Sequence, residues 1–205
     1  MGRMTAGGPQ FNTPRRRHVD TARVEELLAS VASIFFGEGF TSVSMEELAR
    51  RLKCSKATLY TLAATKEQLV VRITRRFFAA AAAGIERTVA GESDPRARIL
   101  SYFHGVGQAM GAMSSAFYDD MLAYGPTAEI YARNTEAAAT RVHELIEAGI
   151  ASGDLRRVHG TFASQLGTLG IQGIQSGELL RNTGMDAGTA FSELGDLLLY
   201  GLDRR

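Results

Sequence analysis

The chain has 205 residues, enough for one or two domains, and its 23 Lys and Arg nearly balance 22 Asp and Glu. Its single cysteine, Cys54, excludes an internal disulfide and with it a small secreted, cross-linked scaffold. The charge is divided unevenly: residues 1–76 carry 13 basic and 7 acidic side chains, net +6, whereas 77–205 carry 10 basic and 15 acidic, net −5. All three lysines, Lys53, Lys56 and Lys66, fall in the basic part, which points to a nucleic-acid surface there. The N-terminal segment has no apolar stretch of the kind a signal peptide needs. Residues 101–118 and 158–177 lack formal charge, but Gln, Ser, Thr or His interrupt both. They read as buried helices of a cytoplasmic protein rather than membrane spans.

Taken in order, the elements are helical. Asp20 or Thr21 can cap a first helix whose Val24, Leu27, Leu28, Val31, Ile34 and Phe35 share one face, with Gly37 and Gly39 as stops. Ser44 with Glu47 forms a capping box for a short helix burying Met45, Leu48, Ala49 and Leu52. Ser55 can cap a second short helix, and Thr65 with Gln68 a longer one. Pro95 suits the first turn of the next helix. Further breaks fall near Gly111, Gly125-Pro126, Gly153-Asp154 and Asn182-Thr183-Gly184. The expectation is an all-α protein of about nine helices. It has a basic arm over 1–19, a DNA-binding domain over 20–66 and a C-terminal domain over 67–205.

Residues 44–61 read as two short helices joined by a tight turn, the helix-turn-helix arrangement. One helix braces against the DNA backbone and the other meets base edges in the major groove. Leu48, Ala49, Leu52 and Leu59 would hold the pair to the first helix, leaving Lys56, Ala57, Thr58 and Thr61 outward. Arg15, Arg16 and Arg17 lie just before that first helix. Two readings of them stand: an arm that wraps DNA or enters the minor groove, and a tail without ordered contacts.

The run Gly39-Phe40, Ser44-Met45-Glu46-Glu47-Leu48-Ala49, Cys54-Ser55-Lys56-Ala57-Thr58-Leu59-Tyr60 and Thr65-Lys66-Glu67-Gln68-Leu69 resembles the DNA-binding domain of the tetracycline-repressor (TetR) family. The likeness covers roughly residues 20–70. It implies a homodimer, each subunit with a three-helix reading head and a larger helical domain that binds a small organic effector and dimerises. By that likeness Ser55, Lys56, Ala57, Thr58 and Tyr60 lie on the recognition helix, with Ser44, Met45 and Lys66 near phosphates or groove edges. Cys54 takes a small apolar position. Three departures stand out. Lys53 occupies a turn position often held by Gly and would need a positive φ there. Val43 replaces a common Thr, and Leu62 and Ala63 replace an aromatic pair, for which Lys53 can compensate as a phosphate contact.

No catalytic constellation emerges. Gly105-Val-Gly107-Gln-Ala-Met-Gly111 has the wrong spacing for a dinucleotide loop, and His143-Glu144 lacks a second His at zinc-helix spacing. Neither cofactor nor metal is expected, nor enzymatic activity; the competing class is a helical enzyme or small-molecule carrier with an incidental basic end. Tyr102, Phe103, His104, Met110, Met113, Phe117, Met121 and Tyr124 form a soft apolar set in the stretch that the resemblance places around the effector cavity. Asp119 and Asp120 either favour a cationic ligand or face water. Gly167, Gly170, Gly173 and Gly177 fall along one predicted helix and suggest close approach of another backbone. The resemblance supplies a dimer interface, to which Leu194, Leu197, Leu198 and Tyr200 would add apolar surface. Packing within one subunit is the other reading. Together these features predict a ligand-responsive DNA-binding regulator, a repressor on a pseudo-palindromic operator.

Overall fold

The computed structural model describes residues 21–156 and 159–202, which form ten α-helices and no strand. The first four are α1 (Thr21–Glu38), α2 (Met45–Arg51), α3 (Lys56–Tyr60) and α4 (Lys66–Gly91). They are followed by α5 (Pro95–Gly111), α6 (Ser115–Ala123) and α7 (Gly125–Ser152). The chain closes with α8 (Gly160–Gln175), α9 (Glu178–Thr183) and α10 (Ala187–Leu202). The expected count of nine rises to ten because Gly177, read as helical, has φ 71° and ends the right-handed run, separating α8 from α9. Gly37 lies within α1, and Gly39, at φ 80°, stops that helix.

Short-range chemistry sets most helix starts. The Ser44, Ser55, Thr65 and Ser114 hydroxyls accept from the backbone N–H three residues on, at 3.1, 3.1, 3.2 and 3.2 Å. Asp94 caps α5 by accepting from Arg96 N–H at 2.9 Å, with Pro95 in the first turn. At Thr65 the side chain of Gln68 reaches one residue beyond the capping box, its oxygen accepting from Ala64 N–H at 3.2 Å rather than from Thr65 N–H. The Ser44 box closes on one side only, because the Glu47 carboxylate is taken by Arg50 and Arg51.

Helices α1 to α3 pack around Leu28, Val31, Phe35, Leu48 and Leu59, all essentially solvent-free. Helix α4 runs from under this head into the larger body, where α5 packs against α4, α7 and most extensively α10. The α5–α10 crossing is close because glycines meet: a Cβ on Gly188 would lie 2.7 Å from the Gly107 carbonyl oxygen. Head and body are joined by α6. Ser114 N–H donates to the Phe36 carbonyl at 2.8 Å, and Phe117 stacks edge-on against Phe36 and Phe40. The N–H groups of Phe40 and Thr41 both donate to Asp120 Oδ2, each at 2.7 Å. Asp120 therefore serves as the backbone acceptor of this corner, and it also borders a surface hollow with Lys66 and Tyr124.

Asp120→Ala leaves two backbone donors at this corner without an acceptor. We expect a loss of about 1–3 kcal/mol in stability, read as a lower urea midpoint, with Asp120→Asn losing less because an acceptor oxygen remains. An unchanged midpoint in Asp120→Ala would show that water satisfies both donors.

Candidate nucleic-acid interface and ligand cavity

The turn between α2 and α3 is a complete Schellman motif. Cys54 N–H donates to the Ala49 carbonyl at 3.0 Å and Lys53 N–H to the Arg50 carbonyl at 3.3 Å. The motif demands a left-handed residue between them, and Lys53 is the one non-glycine residue with positive φ among the described residues, at 49°. The positive φ expected from the sequence at Lys53 is therefore present. Its side chain is exposed, while Cys54 is half-buried and packs on the core as a small hydrophobe.

This turn sets α3 on its anchor. Leu59 is fully buried, so Ser55, Lys56, Ala57, Tyr60 and Thr61 are left on the exposed side. Thr58 is half-buried, its hydroxyl 2.8 Å from Ser55 Oγ, and so less available than its sequence position suggests. Ser44 is exposed at the start of α2, but the Met45 side chain is not at a groove edge. It sits in the core with Leu48, because the same helical face that carries Leu48 and Ala49 carries it inward. Lys66, at the start of α4, is half-buried with its Nζ 3.5 Å from the Thr41 carbonyl oxygen. Val43 and Leu62 are both buried, filling the head where the family's polar or aromatic side chains would otherwise stand. Arg15, Arg16 and Arg17 lie outside the described residues.

Three cations of the head, Arg50, Arg51 and Lys56, pair with local carboxylates. Lys56 pairs with Glu46 across the turn, and hydrogen bonding to Lys56 lowers the Glu46 pKa. Glu47 accepts from Arg50 and Arg51, which hold its pKa down at about 2. These are exposed pairs of small energetic weight. They cost little to exchange for a polyanion's phosphates.

A cavity of about 200 Å³ lies within the body, lined by α4, α5, α7, α8 and α10. Of the eight residues expected from the sequence, Tyr102 and Met110 line it. The other six do not, for identifiable reasons. Phe103 is buried against Gly195 of α10, and His104 is exposed 3.7 Å from Asp196. Phe117 and Met121 fill the core beneath the head. Tyr124 borders shallow surface hollows beside α4. Met113 lines a separate hollow with Asp119 and Arg181. The sequence reading missed Phe78, Glu86, Tyr131, Asn134, Thr135, Arg141, Ile171 and Phe191. The run Ala79 to Ala83 on an otherwise bulky α4 was the available signal, since small residues on a packed helix leave space beside it.

The glycines of α8 face their own subunit. Gly167 lies against Leu198 and Gly170 against Leu194 of α10, and Gly173 against Leu179 of α9. Leu194 and Leu198 are thus inward, and Gly177 is a break rather than part of a packing face. What α8 and α10 leave exposed is Leu197 and Tyr200, both named from the sequence, together with Phe162, Leu166 and Leu169; Tyr200 is 78% exposed.

A compact head presenting α3, carried on an all-helical body with an internal cavity, defines a helix-turn-helix transcriptional regulator that binds DNA. Residues 27–73 match the sequence profile of bacterial regulatory proteins of the tetR family. Solved structures share the fold along most of the chain. One is a candidate transcriptional regulator from Saccharomonospora viridis in complex with choline, at 14% identity and TM-score 0.71, covering 90% of this chain and 100% of that one. A TetR-family regulator from Agrobacterium tumefaciens has 14% identity and TM-score 0.67, with 90% and 99% covered. The ketosteroid regulator KstR2 of Mycobacterium tuberculosis has 18% identity and TM-score 0.60, with 89% and 96% covered. No curated protein matches the sequence significantly. The head therefore carries a tetR-type DNA-binding segment, and the chain shares its overall fold with solved transcriptional regulators.

Because Lys53 bears the left-handed conformation of the turn, Lys53→Gly should raise stability. We expect a gain of up to about 1 kcal/mol, reduced by the greater freedom of Gly in the unfolded chain. Lys53→Val should instead destabilise, since β-branching disfavours positive φ. Urea denaturation of both variants measures this; a less stable Lys53→Gly would mean that packing of the lysine stem, not backbone strain, governs the turn.

Proposed function

We propose that this regulator is a cytoplasmic repressor that binds a pseudo-palindromic operator as a homodimer and is released when a small organic effector occupies the body's cavity. The carrying observation is α3: Leu59 and the Schellman turn fix it, while Ser55, Lys56, Ala57 and Tyr60 stand exposed. Ser44, Lys53 and Lys66 border it and suit phosphate contacts, with Thr58 secondary and the arm Arg15 to Arg17 a further candidate. Positioned this way, α3 can offer Lys56 to a base edge or phosphate once Lys56 leaves Glu46. Among the described residues, no helix is long and apolar enough to cross a membrane.

Dimerisation is supported by the exposed apolar row of α8 and α10. Phe162, Leu166 and Leu169 follow i, i+4, i+7 spacing, and Leu197 and Tyr200 are three apart, so each helix offers one continuous stripe. Two such helices from each subunit make a four-helix interface. In this reading Leu197 and Tyr200 contact the partner, and the α8 glycines with Leu194 and Leu198 support the interface from behind. Effector release then requires that the ligand favour one arrangement of head and body over the other by its differential affinity.

Selection of bound sequences from random duplex DNA should return a two-fold site with half-sites about one helical turn or slightly more apart. Lys56→Ala should cost about 1–3 kcal/mol at a base-specific position, or flatten the log–log salt slope by ~0.9 if Lys56 meets a phosphate. Glu46→Gln, which frees Lys56 and removes an anion beside the backbone, should move affinity the other way. DNA binding without sequence preference or salt dependence would overturn the assignment.

Leu197→Glu places a charge in the apolar stripe and should weaken the dimer by about 2 kcal/mol or more. Sedimentation velocity would show this as a shift toward monomer with loss of operator affinity. A stable dimer in Leu197→Glu would move the interface elsewhere.

A further inference from the structure

We infer that the 200 Å³ cavity takes a compact, uncharged molecule, apolar over most of its surface and bearing one hydroxyl or carbonyl that pairs with Tyr102. This deepens the effector-site reading and rests on it. The size follows from the volume: at interior packing density it accommodates roughly ten non-hydrogen atoms. Five alanines, Ala81, Ala82, Ala109, Ala137 and Ala138, leave the space, and Phe78, Ile85, Val106, Ile171 and Phe191 give it apolar walls.

The wall carries two charged side chains, Glu86 and Arg141, and they are spent on each other. Arg141 Nε and Nη2 donate to the two Glu86 oxygens at 2.9 and 3.0 Å, a bidentate pair, and Nη1 donates to the exposed Glu144 at 2.9 Å. A cationic ligand would compete with Arg141 for Glu86, and an anionic one with Glu86 for Arg141. The pair is neutral as a unit, so a charged ligand attracted by one partner is opposed by the other and recovers little of its own desolvation cost among the apolar walls.

The polar groups are also mostly spent. Tyr131 and Tyr118 hydroxyls lie 3.2 Å apart, and Tyr118 donates to the Ile174 carbonyl at 2.9 Å. Thr135 and Asn134 donate to carbonyls one helical turn back, at 3.0 and 2.9 Å. Tyr102 differs: it is buried on the cavity wall, and its hydroxyl makes no hydrogen bond among the described residues. Burial pushes its pKa up to about 12, so it stays a neutral phenol able to donate or accept. The ring is buried while the unbonded hydroxyl stays accessible from the cavity, so it is placed to pair with a ligand's own polar group.

The test is calorimetric binding to the intact protein with four probes of similar size. Two are neutral alcohols, 2-phenylethanol and cyclohexylmethanol; two are charged, phenylacetate and phenyltrimethylammonium. The expected result is that the alcohols bind and the charged probes bind about tenfold more weakly or not at all. Tyr102→Phe should weaken 2-phenylethanol by about tenfold while leaving ethylbenzene unchanged. Ala138→Phe, which fills the cavity, should abolish binding of all; retention of the unfolding midpoint in both variants excludes misfolding as the cause. Equal or tighter binding of a charged probe overturns the inference. So does indifference of 2-phenylethanol to both variants, or failure of both alcohols to bind at millimolar concentration. If the alcohols bind through Tyr102 but operator affinity does not move, the cavity chemistry stands and the effector reading falls. If a charged compound in this cavity releases DNA, the effector reading stands and this inference falls.

Discussion

Two backbone donors and one carboxylate hold the reading head to the rest of the molecule. At the end of α1, Gly39 turns the chain into left-handed space and leaves the Phe40 and Thr41 N–H groups pointing away from any helix. Asp120 on α6 accepts from both with a single oxygen. The approach is tight: a Cβ at Gly39 would come within 2.6 Å of that oxygen. The other end of α6 is tied as well, through Ser114 N–H to the Phe36 carbonyl. Between the two ties, Phe117 packs edge-on against Phe36 and Phe40. An aromatic contact alone tolerates sliding, whereas two fixed hydrogen bonds at one corner do not. The direction in which α3 points is therefore set by α6 as much as by α2.

That arrangement puts the cavity within mechanical reach of the head without any shared residue. Helix α4 begins under the head at Lys66 and supplies the cavity wall from Phe78 to Glu86. Helix α5 supplies Tyr102 and Met110 and then passes through a three-residue link into α6. Both routes are continuous covalent backbone, and both end at the corner held by Asp120 or at the base of α3. A packed interior resists continuous deformation, so filling the space beside the alanines of α4 would be felt along α4 and α5 together.

Which features were legible in the sequence follows from how far apart the interacting groups stand. Ser44, Ser55 and Thr65 each need a donor three residues away, and all three caps formed as the spacing implied. The positive φ of Lys53 was likewise readable, because a Schellman turn is specified by six consecutive residues. The cavity was not. Its wall draws on five helices spanning Phe78 to Phe191, and an aromatic side chain such as Phe103 or Phe117 is equally suited to core or lining until its neighbours are known. Glu86 and Arg141, 55 positions apart, carry no local pattern that marks them as partners. Gly107 looked like part of a failed nucleotide motif, yet its role is to admit Gly188 of α10, a contact that no local spacing encodes.

The glycines of α8 show how one sequence signal leaves two readings open until the neighbouring helix is seen. Four glycines did announce close helix packing, but the helix that comes close is α10 of the same subunit, with Leu194 over Gly170 and Leu198 over Gly167. Residues 194 and 198 are one turn apart and share a face; 197 and 200 share another. Pulling the first face inward against glycine obliges the second to point out, and Leu197 and Tyr200 are accordingly exposed. On α8 the same logic exposes Phe162, Leu166 and Leu169 while Ile171 and Ile174 are buried. The close internal packing thus creates the flat apolar outer surface: bulkier residues at 167 and 170 would hold α10 away and separate the two stripes.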